Sequence, residues 1–203
     1  MKLLNDSGPA KFMYSVILVS ILIWVVCFYN YYGGNTDSKV VLITGIVFFT
    51  IMYHFWVRII MGNVSKLFKK HIHYKQPWFK ERKFEKKLYK ILRVKSWKDK
   101  ALTYNPEQFS LKDNSLETIA NTMAKSEVDH WINEVISLTT ILFAIPWNFL
   151  FWAFLISAIV AMVFDSQFII IQRYNRPRIV KILERETKKG KEEKKEKEVV
   201  EEV

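Results

Sequence analysis

Three long runs of the sequence contain no Asp, Glu, Lys or Arg, and they constrain the fold more than any other feature. They cover 12–36, 40–57 and 135–164. An uncharged, mainly apolar stretch of about 18 residues or more is long enough to cross the hydrocarbon core of a bilayer as a helix. A soluble domain would mix charged and apolar residues along its length. The runs therefore predict an all-α, multi-pass membrane protein.

The runs divide into four predicted spans. The first two cover about 12–32 and 40–61. A third apolar region runs from Trp131 to Ile171, and as one helix it would be roughly 60 Å long, about twice the hydrocarbon thickness. Because Pro146 interrupts this region, we expect a C-terminal helical hairpin with arms at 131–146 and 148–171. The first arm is short for a full span, so a re-entrant arm is the alternative.

Basic residues lie outside the runs and predict the orientation of the chain. The segment 62–134 contains 16 Lys and Arg against 9 Asp and Glu. Since basic loops stay on the cytoplasmic side, the segment 62–130 should be cytoplasmic. Both termini of a multi-pass protein in the cell membrane should then be cytoplasmic too. The net charge of +11 is assigned to membrane lipid and not to nucleic acid, because no nucleic-acid-binding motif appears.

The remaining organisation is simple. One domain is expected over 1–183, followed by a Lys/Glu tail over 184–203 that cannot bury a core and is either a solvated helix or disordered. Within the cytoplasmic segment, four apolar residues recur at helical spacing among lysines. They predict an amphipathic helix lying on the membrane, and they are Phe84, Leu88, Ile91 and Leu92.

Two polar residues, His54 and Arg58, lie near the end of the second predicted span. They are four residues apart and therefore share one helical face. They are either an interfacial anchor or the polar wall of a site at the membrane surface. His71-x-His73 has no neighbouring Cys or carboxylate, so no metal site is predicted.

Glu127 and His130 stand where the polar middle segment meets the third apolar region. Three residues apart on a helix, they face the same way. A carboxylate beside an imidazole fixes its tautomer and raises its basicity, which suits a general base. The other interpretation is a membrane-entry helix with ordinary polar residues.

A second polar cluster, Q-R-Y-N-R-P-R at 172–178, follows the last predicted span. Its arginines suit phosphate groups of a lipid or an acyl donor. The alternative is a basic stop signal for membrane insertion. In the donor-binding interpretation Arg176 is an exposed residue at a helix end, so its loss should weaken use of the donor more than folding.

Three blocks of the sequence resemble the glycosyl-4,4′-diaponeurosporenoate acyltransferase family, which completes staphyloxanthin-type carotenoids. The first block runs from Phe84 to Lys100 and contains V-K-S-W-K. The second is Glu127-x-x-His130-Trp131. The third, I-I-I-Q-R-Y-N-R-P-R at 169–178, is nearly identical to the pattern of the family. Order and spacing agree over about 78–182.

The resemblance implies transfer of a fatty acyl group to a sugar hydroxyl of a glycosylated carotenoid or similar glycolipid. Acyl-CoA is the expected donor, as a co-substrate, and no cofactor is expected. In this reading the catalytic residues are His130, as the base, and Glu127, which orients it. The residues expected to bind substrate are Trp97, Trp131, Arg173, Tyr174, Asn175, Arg176 and Arg178. The alternative function is a non-catalytic membrane protein or a lipid-binding subunit of a lipid-modifying complex.

Overall fold

The computed structural model describes residues 8–101 and 106–201, with side chains described as far as residue 193. These ranges contain no strand, which confirms the all-α prediction. Short turns and 3-10 segments join the six α-helices of these ranges. The helices are α1 (Gly8–Tyr32), α2 (Lys39–Val64), α3 (Glu85–Ile91), α4 (Val94–Trp97), α5 (Leu116–Ser137) and α6 (Phe151–Glu201).

Three helical stretches in the described ranges are long and apolar enough to cross a membrane. They are Gly8–Tyr32, Lys39–Val64 and Asn148–Glu193. The membrane prediction is thereby confirmed, and three of the four predicted spans coincide with these helices. The turn between α1 and α2 contains Gly34 at a φ of +76°, a backbone conformation that glycine adopts without steric cost.

The arm predicted at 131–146 is not one continuous α-helix. Helix α5 ends at Ser137, and Leu138–Ala144 continues as a 3-10 segment. Two hydroxyl groups at this junction bond to nearby carbonyl oxygens: Thr139 Oγ1 to Ile136 at 2.6 Å and Thr140 Oγ1 to Ser137 at 2.7 Å. Such bonds compete with the α-helical ladder and locally disturb it. The predicted total of four crossings stays a prediction.

The chain groups into two compact units. The first comprises the described residues of Met1–Lys69 and Val128–Gln167, and the second comprises those of Lys70–Ala101, Pro106–Glu127 and Phe168–Val203. The expected single domain over 1–183, of which residues 1–7 lie outside the described ranges, stays a prediction. The tail takes the helical alternative, since α6 continues to Glu201; residues 202 and 203 lie outside the description.

Aromatic and aliphatic side chains form the core of the first unit. Leu42, Ile46 and Phe154 are buried together, and Phe28 and Trp147 pack against them. Helices α1 and α2 approach closely at Gly45, where a Cβ atom would lie 2.7 Å from the Phe28 ring and 2.9 Å from Cys27 Cβ. Small residues allow this close backbone approach between apolar helices, where packing and not the hydrophobic effect holds helices together.

We expect Gly45→Ala to destabilise the first unit by about 1–3 kcal/mol, because the added methyl group has no space between the two helices. The measurement is thermal unfolding of the purified protein in detergent. Gly62→Ala is the matched control on the same helix, since no atom lies within 4 Å of a Cβ there. That change should be neutral or slightly stabilising. Equal melting temperatures for the two variants would contradict the close approach at Gly45.

Candidate active site

Three ionisable side chains from three helices meet in the first unit. Asp165 of α6 is fully buried, with 0% of its surface exposed. Its Oδ1 lies 2.8 Å from Nδ1 of His130 on α5, and its Oδ2 accepts a hydrogen bond of 2.5 Å from Nη2 of Arg58 on α2. We call these three residues the Asp165 cluster.

The geometry of Asp165 explains how a carboxylate tolerates this position. Moving an unpaired charge out of water into an apolar interior is strongly unfavourable. Here each carboxylate oxygen has a hydrogen-bonding partner, and one partner is a permanent cation, because a guanidinium stays protonated. Both carboxylate oxygens of Asp165 are therefore satisfied, one by an imidazole and the other by a guanidinium.

Arg58 is itself fixed from several sides. Its Nη1 donates to the carbonyl oxygen of His54 at 2.7 Å, and Nη2 also donates to the carbonyl oxygen of Ala161 at 3.3 Å. Its guanidinium lies over the Phe164 ring at 5.6 Å. The side chain of Arg58 is only 11% exposed. These contacts favour a polar wall over an interfacial anchor among the two interpretations of His54 and Arg58.

His130 has the arrangement that a general base requires. When Nδ1 donates to a buried carboxylate, the ring orientation and tautomer are fixed, and Nε2 becomes the nitrogen that accepts a proton. The side chain is 20% exposed, so the imidazole is partly accessible while its carboxylate partner is not. A substrate could therefore contact the imidazole but not the carboxylate behind it.

A second carboxylate lies one turn beyond His130 on α5. Glu134 is buried, and its Oε1 accepts a hydrogen bond of 2.5 Å from the Ser166 hydroxyl. Ser166 follows Asp165 directly in α6, so the same pair of helices carries both hydrogen bonds. Nearby on α2, His54 Nε2 lies 3.0 Å from the Ser157 hydroxyl. The Glu134 carboxylate and the His54 imidazole thus each contact a hydroxyl group of α6.

Glu127, which the sequence paired with His130, has other partners in the second unit. Its carboxylate is fully buried and bridges two arginines, with Oε1 2.6 Å from Arg173 Nη1 and Oε2 2.6 Å from Arg176 Nη1. The carboxylate that contacts the Nδ1 atom of His130 is that of Asp165. The role of Glu127 in orienting His130 stays a prediction.

The two arginines bind further groups of the second unit. Arg173 donates to Glu85 Oε1 from both Nε (2.9 Å) and Nη2 (2.5 Å). Arg176 donates to the Phe79 carbonyl oxygen at 2.9 Å and stacks over the Phe79 ring at 4.8 Å. We call Glu85, Glu127, Arg173 and Arg176 the Glu127 network. The three sequence blocks that resemble the acyltransferase family each contribute to it.

Tyr89 completes the polar side of α3. Its hydroxyl donates to Glu85 Oε2 at 2.9 Å. Burial raises the pKa of Tyr89, and the hydrogen bond to the Glu85 carboxylate raises it further. The hydroxyl therefore keeps its proton and remains a donor to Glu85 across the ordinary pH range.

The structure gives the expected substrate-binding residues different surroundings. Arg176 is only 1% exposed, so the expectation that it is an exposed helix-end residue is wrong. Arg178, in contrast, is exposed; its guanidinium lies 3.6 Å from the centroid of the Tyr174 ring and donates to the Tyr174 carbonyl. Trp97 donates from Nε1 to the Leu92 carbonyl at 2.8 Å.

The other two residues expected to bind substrate are at least partly accessible. Trp131 is 39% exposed on α5, and Asn175 is half-buried on α6. Within the described ranges, no group of three or more His, Cys, Asp or Glu side chains is placed to hold a metal ion.

Asp165 is the functional candidate that sequence reasoning missed, although a signal was present. It is the single charged residue between positions 135 and 172. An ionisable residue inside an apolar helix is costly, faces the protein interior and commonly has a functional role. Asp165 follows the last charge-free run directly and lies inside the predicted span 148–171.

A fully buried acid that contacts a partly exposed imidazole and a largely buried guanidinium defines a candidate site among the apolar helices of a membrane protein. The family model for glycosyl-4,4′-diaponeurosporenoate acyltransferase matches residues 75–185. The chain therefore belongs to this family, and the match supports an acyltransferase of carotenoid biosynthesis. His130, Asp165 and the Glu127 network lie inside the matched region, whereas Arg58 lies outside it. No curated protein and no solved structure matches the chain.

We expect Glu127→Gln to lower the free energy of unfolding by about 3 kcal/mol, because the buried Arg176 loses the carboxylate that it contacts and Arg173 loses one of its two. Thermal or denaturant unfolding in detergent measures this loss. Glu192→Gln is the control, since its pair with Lys188 is exposed and 3.8 Å long, and such pairs contribute little. A loss at Glu127 no larger than that at Glu192 would mean that the network does not stabilise the second unit.

Proposed function

We propose that this chain is a membrane enzyme that transfers a fatty acyl group from acyl-CoA to a sugar hydroxyl of a glycosylated carotenoid or similar glycolipid. The observation that carries the proposal is the contact of His130 with a fully buried Asp165. Family membership supports the reaction class, and the imidazole–carboxylate pair supports the way the chain would perform it.

The reaction needs a base because a sugar hydroxyl is a weak nucleophile until its proton is removed. His130 Nε2 takes the hydroxyl proton as the sugar oxygen attacks the thioester carbonyl carbon. The carbon–sulfur bond then breaks, and the imidazolium returns the proton to the departing thiolate. A new ester and free coenzyme A are the products, and the enzyme is regenerated without a change in redox state.

Asp165 supplies orientation and charge to this cycle. It holds the Nδ1 proton of His130 and stabilises the imidazolium that forms during attack. Arg58 holds Asp165 in place through its hydrogen bond to Oδ2, so it is a positioning residue that acts through Asp165. The Glu127 network stabilises the second unit in this proposal, and the carboxylate that contacts His130 Nδ1 is that of Asp165.

Among the three arginines expected to bind the donor, Arg178 has the surroundings that best support phosphate binding. It is exposed, whereas Arg173 and Arg176 already have carboxylate partners at 2.6 Å. Tyr174, Asn175, Trp97 and Trp131 keep their proposed roles as substrate contacts. The three aromatic rings among them, those of Tyr174, Trp97 and Trp131, suit the apolar chain of an acyl donor or a carotenoid.

His130→Ala should lower the rate of acyl transfer by about 10²–10⁴-fold, the usual contribution of a general base, with the protein still inserted in the membrane. Asp165→Asn should lower the rate to a similar extent, because the amide cannot stabilise an imidazolium. The assay is mass spectrometry of acylated glycolipid formed in membranes with matched amounts of protein. His71→Ala is the control, since His71 is exposed and outside the cluster.

One further measurement distinguishes a catalytic base from a residue that only packs. Added imidazole should restore part of the activity of His130→Ala, which a purely structural loss would not allow. Near-normal turnover in His130→Ala would remove the base from the mechanism. It would favour the alternative function, a non-catalytic lipid-binding subunit in which the Asp165 cluster only holds helices together.

We also propose that both termini are cytoplasmic and that the protein resides in the cell membrane. The basic excess in 62–134 and after Ile171 supports this orientation. Topology reporters fused at Asn35 and at Lys188 should be external and cytoplasmic, respectively. An external signal at Lys188 would contradict four crossings and favour a re-entrant arm at 131–146.

A further inference from the structure

Helix α3 buries polar side chains and exposes large apolar ones, unlike an ordinary surface helix. Its buried residues are Glu85 and Tyr89. Phe84, at its N-terminal boundary, is 59% exposed, and Ile91, at its C-terminal end, is 67% exposed. A helix at the surface of a soluble protein places its apolar stripe inward, so α3 presents large apolar side chains where such a helix would present polar ones.

The reversal follows from the Glu127 network. Glu85 receives the Arg173 guanidinium at 2.5 Å and the Tyr89 hydroxyl at 2.9 Å. These two groups satisfy the polar side of α3 within the protein, and Tyr89 also packs edge-to-face on Tyr174 at 5.3 Å. The polar side is thus committed inward, which leaves Phe84 and Ile91 outward.

The sequence had predicted one amphipathic stripe of Phe84, Leu88, Ile91 and Leu92. In the structure Leu88 is half-buried on the inner side, whereas Leu92 is 40% exposed beside Ile91. The exposed apolar surface of α3 is therefore narrower than the predicted stripe and lacks Leu88. We define the α3 surface as Phe84, Ile91 and Leu92.

Charge indicates what covers the α3 surface. Residues 70–101 contain 12 Lys and Arg against 3 Asp and Glu. Three of these lysines, Lys86, Lys87 and Lys90, are exposed on α3 itself. Large apolar side chains ringed by lysines are typical of a helix that lies in the interface of an anionic bilayer, with long aliphatic stems beside the acyl chains and ammonium groups at the phosphates.

We propose that the α3 surface docks on anionic lipid, with Phe84 and Ile91 inserted at the boundary between head groups and acyl chains. The lysines select the anionic lipid, and the apolar side chains set the depth. A nucleic acid would be attracted by the same charge, but it would leave exposed aliphatic side chains uncovered. The inference is independent of the acyltransferase reaction, because it would hold in a catalytically inactive variant.

The test uses the full chain in lipid nanodiscs with one environment-sensitive label. In a Cys27→Ser background, which removes the one native cysteine, Ile91→Cys carries a fluorophore that is quenched by spin-labelled acyl chains. Lys188→Cys is the matched control, because Lys188 has 80% of its side chain exposed in the charged tail. Phe84→Cys is a second probe at the other end of α3.

In nanodiscs with about one third phosphatidylglycerol, the label at Ile91 should be quenched about twofold or more relative to the label at Lys188. Phosphatidylcholine alone should reduce this difference, and so should Lys86→Glu combined with Lys87→Glu and Lys90→Glu. Quenching equal to that at Lys188 at both probes would overturn the proposal. Quenching that ignores lipid charge would overturn the anionic selectivity, and protection that depends only on protein copies per disc would show that a second chain covers the surface.

Discussion

A charged group inside an apolar helix has to be paired, and the arrangement of the first unit depends on how Asp165 meets this requirement. Water is absent from the hydrocarbon region, so a carboxylate there must find its partners in the protein. Asp165 finds two, one on α5 and one on α2. Its burial at 0% exposure means that neither partner can be exchanged for solvent. In the function proposed above, the same position lets Asp165 orient the imidazole of His130.

The second unit follows the same principle with two acids and two guanidinium groups. Here one buried acid, Glu127, lies between two guanidinium groups, and a second acid, Glu85, brings the total to two charges of each sign. This balance matters because removing one member of a buried ionic group leaves the others uncompensated. These ionic contacts explain why the short, lysine-rich segment around α3 can be held against α6. The network also turns α3 so that its apolar residues face outward.

Features of the chain that depend on local sequence were predictable, and those that depend on distant pairing were not. A charge-free run shows its length and apolar character without reference to any other residue, so the first two spans were placed to within a few positions. Helix α6 contains the predicted span 148–171 but continues well beyond it, to Glu201. The break after Ser137 depends on Thr139 and Thr140 bonding to their own backbone, which composition does not reveal. Glu127 and His130 do share helical spacing, yet spacing fixes only the face of a residue. Their partners come from α6, 35 residues or more along the chain, and no periodicity encodes that distance.

Arg58 has a consequence for how the molecule is divided. The region that matches the acyltransferase family begins at residue 75. This boundary alone would suggest that α1 and α2 only anchor the chain in the membrane and could be replaced by other apolar helices. Asp165 contradicts that division, since one of its two oxygens is neutralised by a guanidinium carried on α2. A fragment starting at residue 75 would contain Asp165 without the Arg58 guanidinium. Two apolar helices taken from another protein would not place a cation beside Asp165. The homologous region is therefore not an autonomous module, because the guanidinium that pairs with its buried Asp165 comes from a segment outside its recognised border.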